Sequence, residues 1–122
     1  MVIGLISSVA VFFLGMGLYA LVAPASLIRP FGVALVRPES RAEVRAVYGG
    51  FGLAIAGVLA YAALNPSVGQ PILITVAVAL AGMALGRLIS AVVDGRTAFY
   101  PNWFYFLVEV VLAAALVFAA VI

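Results

Sequence analysis

Four apolar stretches, each long enough to cross a membrane as a helix, dominate this sequence and limit the folds open to it. They run, in chain order, from Val2 to Val22, Val44 to Leu64, Ile72 to Val93 and Trp103 to Ile122. A helix needs about 20 apolar residues to cross a hydrocarbon core of about 30 Å. A soluble domain has about 25% charged residues, whereas only 8% of this chain is charged and 68% is hydrophobic. The sequence therefore excludes an ordinary soluble domain.

The four stretches predict an all-α fold, an integral membrane four-helix transmembrane bundle with short loops. Because four spans and their connections use the whole chain, we expect a single transmembrane domain over residues 1–122, with the N and C termini on the same side. The first stretch lacks the basic N-terminal residues of a signal peptide, and its apolar run is longer than the apolar segment of one. We therefore expect it to be retained as a span. The helices are predicted at about 2–22, 39–64, 71–94 and 102–122.

Helix ends and connections carry recognisable signals. Pro38 suits a first helical turn, and Ser40 to Glu43 has the spacing of a capping box. An uncharged hairpin from Asn65 to Pro71 is predicted before the third helix, which Gly95 ends as a left-handed cap. Between the first two helices, Ala23 to Gly32 contains apolar residues and one arginine, which favours a short interfacial helix.

Small residues at helical spacing predict which helix faces pack closely. On the third helix such residues share a face about 140° wide with Arg87 and Asp94, counting 100° per residue. We expect that face to point into the bundle. The predicted packing faces are Gly4, Ser8, Gly15 and Tyr19 on the first helix; Gly49, Gly52 and Ala56 on the second; and Gly82, Gly86 and Ser90 on the third.

Arginine placement predicts the topology. All six arginines fall in the first and third connections or the adjoining helix ends, and the opposite side of the bundle has none. By the positive-inside rule the arginine-rich loops are cytoplasmic and both termini lie outside. The ridge formed by Arg37, Arg41 and Arg45 is expected to serve headgroup contact and topology, and the more specific alternative is a site for a phospholipid or phosphate.

The same geometry brings polar side chains from three helices to one level. Arg87 lies seven residues before Asp94, and Glu109 seven residues after Asn102, which places both about 10 Å inside the cytoplasmic boundary. An unpaired charge at the helix centre costs about 2.5–3.5 kcal/mol, so we expect Arg87 to pair with Glu109, and Asp94 with Arg45 or a loop group. The predicted polar cluster consists of Arg45, Tyr48, Arg87, Ser90, Asp94, Tyr105 and Glu109.

These residues carry a family resemblance that extends over nearly the whole chain. Glu43-Val44-Arg45-Ala46-Val47-Tyr48-Gly49-Gly50, then Gly86-Arg87-Leu88-Ile89-Ser90, then Asp94-Gly95 and the late Glu109 resemble the bacterial domain-of-unknown-function 4345 (DUF4345) family. The resemblance implies a small integral membrane protein, which in a bacterium lies in the inner (cytoplasmic) membrane. It implies no particular activity or ligand.

Several functions stay open for the predicted cluster. The sequence has no cysteine and no histidine, so we expect no metal, no cofactor and no enzymatic activity. The cluster is either a structural pair that fixes helix register or a binding site, in a ligand-binding protein or an accessory subunit of a membrane complex. The alternative is a small oligomeric transporter or proton-coupled carrier using Glu109 and Arg87. Expected partners are membrane lipids, a second copy or a larger complex, and a small lipid-soluble or anionic ligand, but no nucleic acid.

Overall fold

A computed structural model describes the whole chain, Met1–Ile122, and every element in it is helical. Four helices have the length and apolar character of membrane spans, as the sequence predicts for an all-α, multi-pass membrane protein. We call them the first to fourth spans: Val2–Val22, Pro38–Leu64, Pro66–Asp94 and Phe99–Val121. The first connection contains a short α-helix, Pro24–Ile28, followed by one 3₁₀ turn, Arg29–Phe31.

The second span starts where predicted but without the predicted capping box, and the predicted start of the third span is wrong. The second span starts at Pro38 with Arg37 as its N-cap and no side-chain cap, so Ser40 lies inside the helix and forms no capping box. The third span starts at Pro66, well before residue 71, because Pro66 takes the first helical position, where a missing N–H costs nothing. Pro71 lies inside this helix, and Asn65 alone forms the predicted hairpin.

The third span ends, and the fourth span begins, at the arginine-rich loop that connects them. Gly95 ends the third span as predicted, but not as a left-handed cap: its φ is 86° and its ψ is −161°, a backbone conformation open essentially to glycine alone. The fourth span begins at Phe99, earlier than predicted, with a widened turn over Phe99–Trp103 in which Tyr100 is not helical. The regular helix then runs over Phe104–Val121.

Glycines bring the backbones of the first and second spans into close contact. A Cβ atom on Gly52 would lie 3.2 Å from the Cα of Gly17, and one on Gly17 would lie 2.9 Å from the carbonyl oxygen of Gly49. The predicted packing face of the second span is therefore confirmed, since its third member, Ala56, is also buried. Such close approach increases van der Waals contact, which is what holds helices together in lipid.

The predicted packing faces of the first and third spans are wrong. The first-span residues Gly4, Ser8, Gly15 and Tyr19 are exposed, as are the third-span residues Gly82, Gly86 and Ser90. These spans bury other small and large apolar residues instead, because in helices that are apolar all round only the shape of the partner decides which face is covered. The buried residues are Ile6, Val9, Gly17 and Ala20 on the first span, and Gly69, Leu73, Val76, Ala77, Leu80 and Ala84 on the third.

The apolar core occupies one end of the bundle. There the amide nitrogen of Gln70 donates a hydrogen bond of 2.9 Å to the carbonyl oxygen of Ala120, which ties the start of the third span to the end of the fourth. At the arginine-rich end the buried apolar cluster is smaller and consists of Ala20, Leu27 and Val44. The main core consists of Ile6, Val9, Leu59, Ala62, Leu73, Val76, Ala77, Leu80, Leu116 and Ala119.

Replacing Gly17 by alanine is expected to lower the thermal stability. Its Cβ atom would lie 2.9 Å from the oxygen of Gly49 and 3.0 Å from the backbone nitrogen of Leu53. Overpacking costs about 1–3 kcal/mol, more than the roughly 1 kcal/mol that alanine gains over glycine in a helix. Gly15→Ala is the matched control, since nothing lies within 4 Å of its Cβ position. Fluorescence of the single tryptophan, Trp103, reports unfolding in detergent, and equal Tm values for the two variants would contradict the close contact.

Candidate functional site

A buried ion pair joins the third and fourth spans. Arg87 Nε donates to Glu109 Oε1 at 2.9 Å, and Arg87 Nη2 donates to Glu109 Oε2 at 3.0 Å, so the pair is bidentate. Glu109 is 4% exposed and is the only buried charged residue in the protein. The pair that the sequence predicts is therefore present, with the bidentate geometry that makes arginine–carboxylate contacts strong.

Aromatic rings surround the arginine of this pair. Phe31 and Tyr105 stack with their ring centroids 5.7 Å apart, and the guanidinium carbon of Arg87 lies 5.8 Å from the centroid of each ring. Both distances are within the range of a cation–π contact. The 3₁₀ turn that carries Phe31 thus folds back onto the ion pair and covers the guanidinium.

The hydrogen bonds of Arg87 leave part of its donor capacity unused. A third bond runs from Nη1 to the Oδ1 of Asn102 at 3.3 Å. A guanidinium has five N–H groups, and the bonds to Glu109 and Asn102 use one each on Nε, Nη1 and Nη2. One N–H on Nη1 and one on Nη2 therefore have no partner within the protein.

The ion pair forms part of the wall of a cavity of about 550 Å³. Eighteen residues line the cavity and fifteen of them, the two tyrosines included, are hydrophobic, so the surface of the cavity is mostly apolar. All four spans contribute to the lining, as does the short connection after the first span. The residues with polar side chains in the lining are Tyr48, Arg87, Tyr105 and Glu109.

A widened, π-helical turn on the second span shapes one side of this cavity. The turn runs over Arg45–Gly50, and three successive residues in it, Ala46, Val47 and Tyr48, border the cavity. Turns of this type are frequent at functional sites because they redirect side chains within an otherwise regular helix. Tyr48 thereby lines the same cavity as Arg87 and Glu109.

Arg45 lies outside the cavity lining and has a different partner from the one predicted. Its Nε donates to the carbonyl oxygen of Leu21 at 2.9 Å, which satisfies a free carbonyl in the last turn of the first span. Asp94 is exposed and forms no hydrogen bond or ion pair, so the predicted contact between Asp94 and Arg45 is wrong. A carboxylate at an exposed helix end keeps its solvation, and no desolvation cost forces it to find a partner.

The structure thus brings together four of the seven residues predicted for the cluster. Ser90 and Asp94 lie on the exposed face of the third span and do not line the cavity. Arg37 and Arg41, predicted to contact headgroups, also lie outside it, and Arg37 pairs with Glu39 at 2.9 Å on the exposed surface. The four residues that share the cavity are Tyr48, Arg87, Tyr105 and Glu109.

Two residues that contact Arg87 were absent from the predicted cluster. Asn102 carries a usable signal, because it lies seven residues before Glu109 and so shares its helix face. Phe31 carries no such signal. It lies in a turn of the first connection, and helical spacing cannot predict the path of a connection. The contact of Phe31 with Tyr105 is visible only in the three-dimensional structure.

Breaking the ion pair from one side is expected to destabilise the protein more than removing both partners. Arg87→Met and Glu109→Met each leave a buried charge without a partner, which costs about 3–5 kcal/mol, whereas the double variant is expected to recover most of that loss. Unfolding by sodium dodecyl sulfate measures the free energies. Arg37→Met is the control, because its exposed pair is worth about 1 kcal/mol or less. An Arg87→Met variant as stable as Arg37→Met would contradict the pairing.

One known protein family matches the chain. The family described as a domain of unknown function (DUF4345) matches residues 3–120, nearly the whole chain. No curated protein and no solved structure matches the chain. The match includes all four spans and every residue that lines the cavity. The chain therefore belongs to the DUF4345 family.

Proposed function

We propose that this membrane protein binds a lipid-soluble molecule, without enzymatic activity, in the cavity beside Arg87 and Glu109. The observation that carries the proposal is the bidentate ion pair set into the wall of an otherwise apolar cavity of about 550 Å³. Ligand sites have volumes of about 300–1,000 Å³ and combine apolar walls with a few polar groups that orient the ligand. An ionisable group within a membrane span is itself a mark of function.

The exposure of the cavity lining supports entry from the lipid. On the second span Val47 is 50% exposed and Phe51 is 51% exposed, and on the third span Met83 is 45% exposed. The lining residues of the first and fourth spans are half-buried or buried. The apolar side between the second and third spans is therefore the accessible one, and this is the side from which an apolar molecule dissolved in the bilayer would enter.

The chemistry of the polar residues in the lining supports binding rather than catalysis. Both oxygens of Glu109 accept hydrogen bonds from Arg87, so the carboxylate is held by its partner and not directed at a reacting group. Neither tyrosine in the lining, Tyr48 or Tyr105, forms a hydrogen bond to the carboxylate of Glu109, the contact by which a base would activate a phenol. In the proposed function these groups orient the polar end of a ligand and leave it unchanged.

Filling the cavity is expected to remove the bound molecule. Ala79 lines the cavity from the third span, and Ala79→Phe would place a ring in that space. Native mass spectrometry of protein extracted into lipid nanodiscs measures the share of molecules that carries a small ligand. We expect about tenfold less ligand on Ala79→Phe than on the wild type, a loss equal to about 1.4 kcal/mol.

The matched control for this experiment is Ala81→Phe. Ala81 lies two residues further along the same span, is exposed and does not line the cavity, so the same substitution there should leave the bound molecule in place. A wild-type protein without any bound small molecule would overturn the proposed function. A larger bound mass would instead identify a second copy or a partner subunit.

We also propose a sidedness, with the protein in a bacterial cytoplasmic membrane and its arginine-rich loops in the cytoplasm. The distribution of the six arginines supports it. Since the chain has no cysteine, single cysteines report each side cleanly. A membrane-impermeant maleimide is expected to label Ser67→Cys in intact cells, and Ala34→Cys only after the membrane is opened. The reverse pattern would invert the topology.

A further inference from the structure

We infer that the cavity selects an uncharged lipid-soluble molecule with a carbonyl oxygen over a lipid anion of the same chain length. The inference rests on the proposed function, because it concerns which ligand the same cavity accepts. It depends on two properties of the ion pair: the balance of its charges, and the hydrogen-bond donors it leaves free.

The charges in the cavity wall cancel. Arg87 and Glu109 are the only charged residues in the lining, and their atoms lie 2.9–3.0 Å apart. An anion placed against the guanidinium would therefore also lie close to the carboxylate, so attraction and repulsion largely offset each other. The anion would still lose its hydration on entering an apolar cavity, a cost that an uncharged ligand does not have.

The more accessible hydrogen-bonding group in the charged pair is the donor. Arg87 keeps one unused N–H on Nη1 and one on Nη2 and its side chain is 19% exposed, whereas both oxygens of Glu109 already accept a bond from Arg87 and its side chain is only 5% exposed. A purely apolar ligand that covered these N–H groups would leave them without a partner, at a cost of about 1–3 kcal/mol. A carbonyl oxygen would satisfy one of them. An acceptor without charge fits this wall best.

A pair of matched probes tests the selection. Methyl oleate and oleate have the same hydrocarbon tail, and only oleate is charged at pH 9. Equal amounts of both are added to the wild-type protein in phosphatidylcholine nanodiscs, and native mass spectrometry separates the two complexes. We expect about tenfold more methyl oleate than oleate on the wild-type protein.

Removing the balancing charge is expected to reverse this preference. Glu109→Gln keeps the size of the side chain and an acceptor for Arg87 but leaves the guanidinium charge uncompensated, so oleate should become the preferred probe. Glu39→Gln is the matched control, because Glu39 is exposed and lies outside the cavity. It should keep the wild-type preference for methyl oleate.

Each result supports or overturns a distinct claim. Equal binding of the two probes, or more oleate than methyl oleate, on the wild-type protein overturns the selection while leaving a ligand-binding cavity in place. Binding of neither probe, or binding that Ala79→Phe does not reduce, overturns the proposed function as well. If Glu109→Gln does not fold, the comparison on the wild-type protein decides the inference alone.

Discussion

The bidentate contact between Arg87 and Glu109 fixes how the third and fourth spans face each other. A charge cannot face lipid tails without cost, so each of these residues must find its partner on the neighbouring helix. With two hydrogen bonds of 2.9 and 3.0 Å, the contact sets both the rotation and the height of one helix against the other. Phe31 and Asn102 are then held in place through their contacts with the guanidinium.

The first two spans are joined by close backbone packing and not by an ion pair. At their contact surface Gly17, Gly49 and Gly52 bring backbone against backbone. Contact between glycines depends on shape alone, whereas contact between charged groups depends on chemistry and direction. Arg45 adds one directional bond at the end of this pair, to the carbonyl oxygen of Leu21. The bundle therefore combines a pair of helices matched by shape with a pair matched by charge.

This difference explains what the sequence could predict. Apolar length revealed the four spans, and the scarcity of charged residues within them pointed to Arg87 and Glu109 as partners. The rotation of the first span was wrong because Gly4 and Gly15 look as suitable for packing as Gly17 in a helix that is apolar on every side. The placement of Asp94 in the cluster was wrong. Helical spacing predicts the face on which a side chain lies, but not whether other parts of the protein bury the end of that helix. Phe31 lies in a connection, where the path of the chain depends on the finished bundle.

The separation of core and cavity has a consequence for how such a protein changes over evolution. Of the ten residues in the main core, only Leu80 also lines the cavity. Apart from Gly52, Arg87 and Glu109, which themselves hold the spans together, residues of the cavity wall can therefore be substituted while most of the buried contacts of the main core stay intact. The shape of the cavity can in this way change in small steps, each of which leaves the bundle folded.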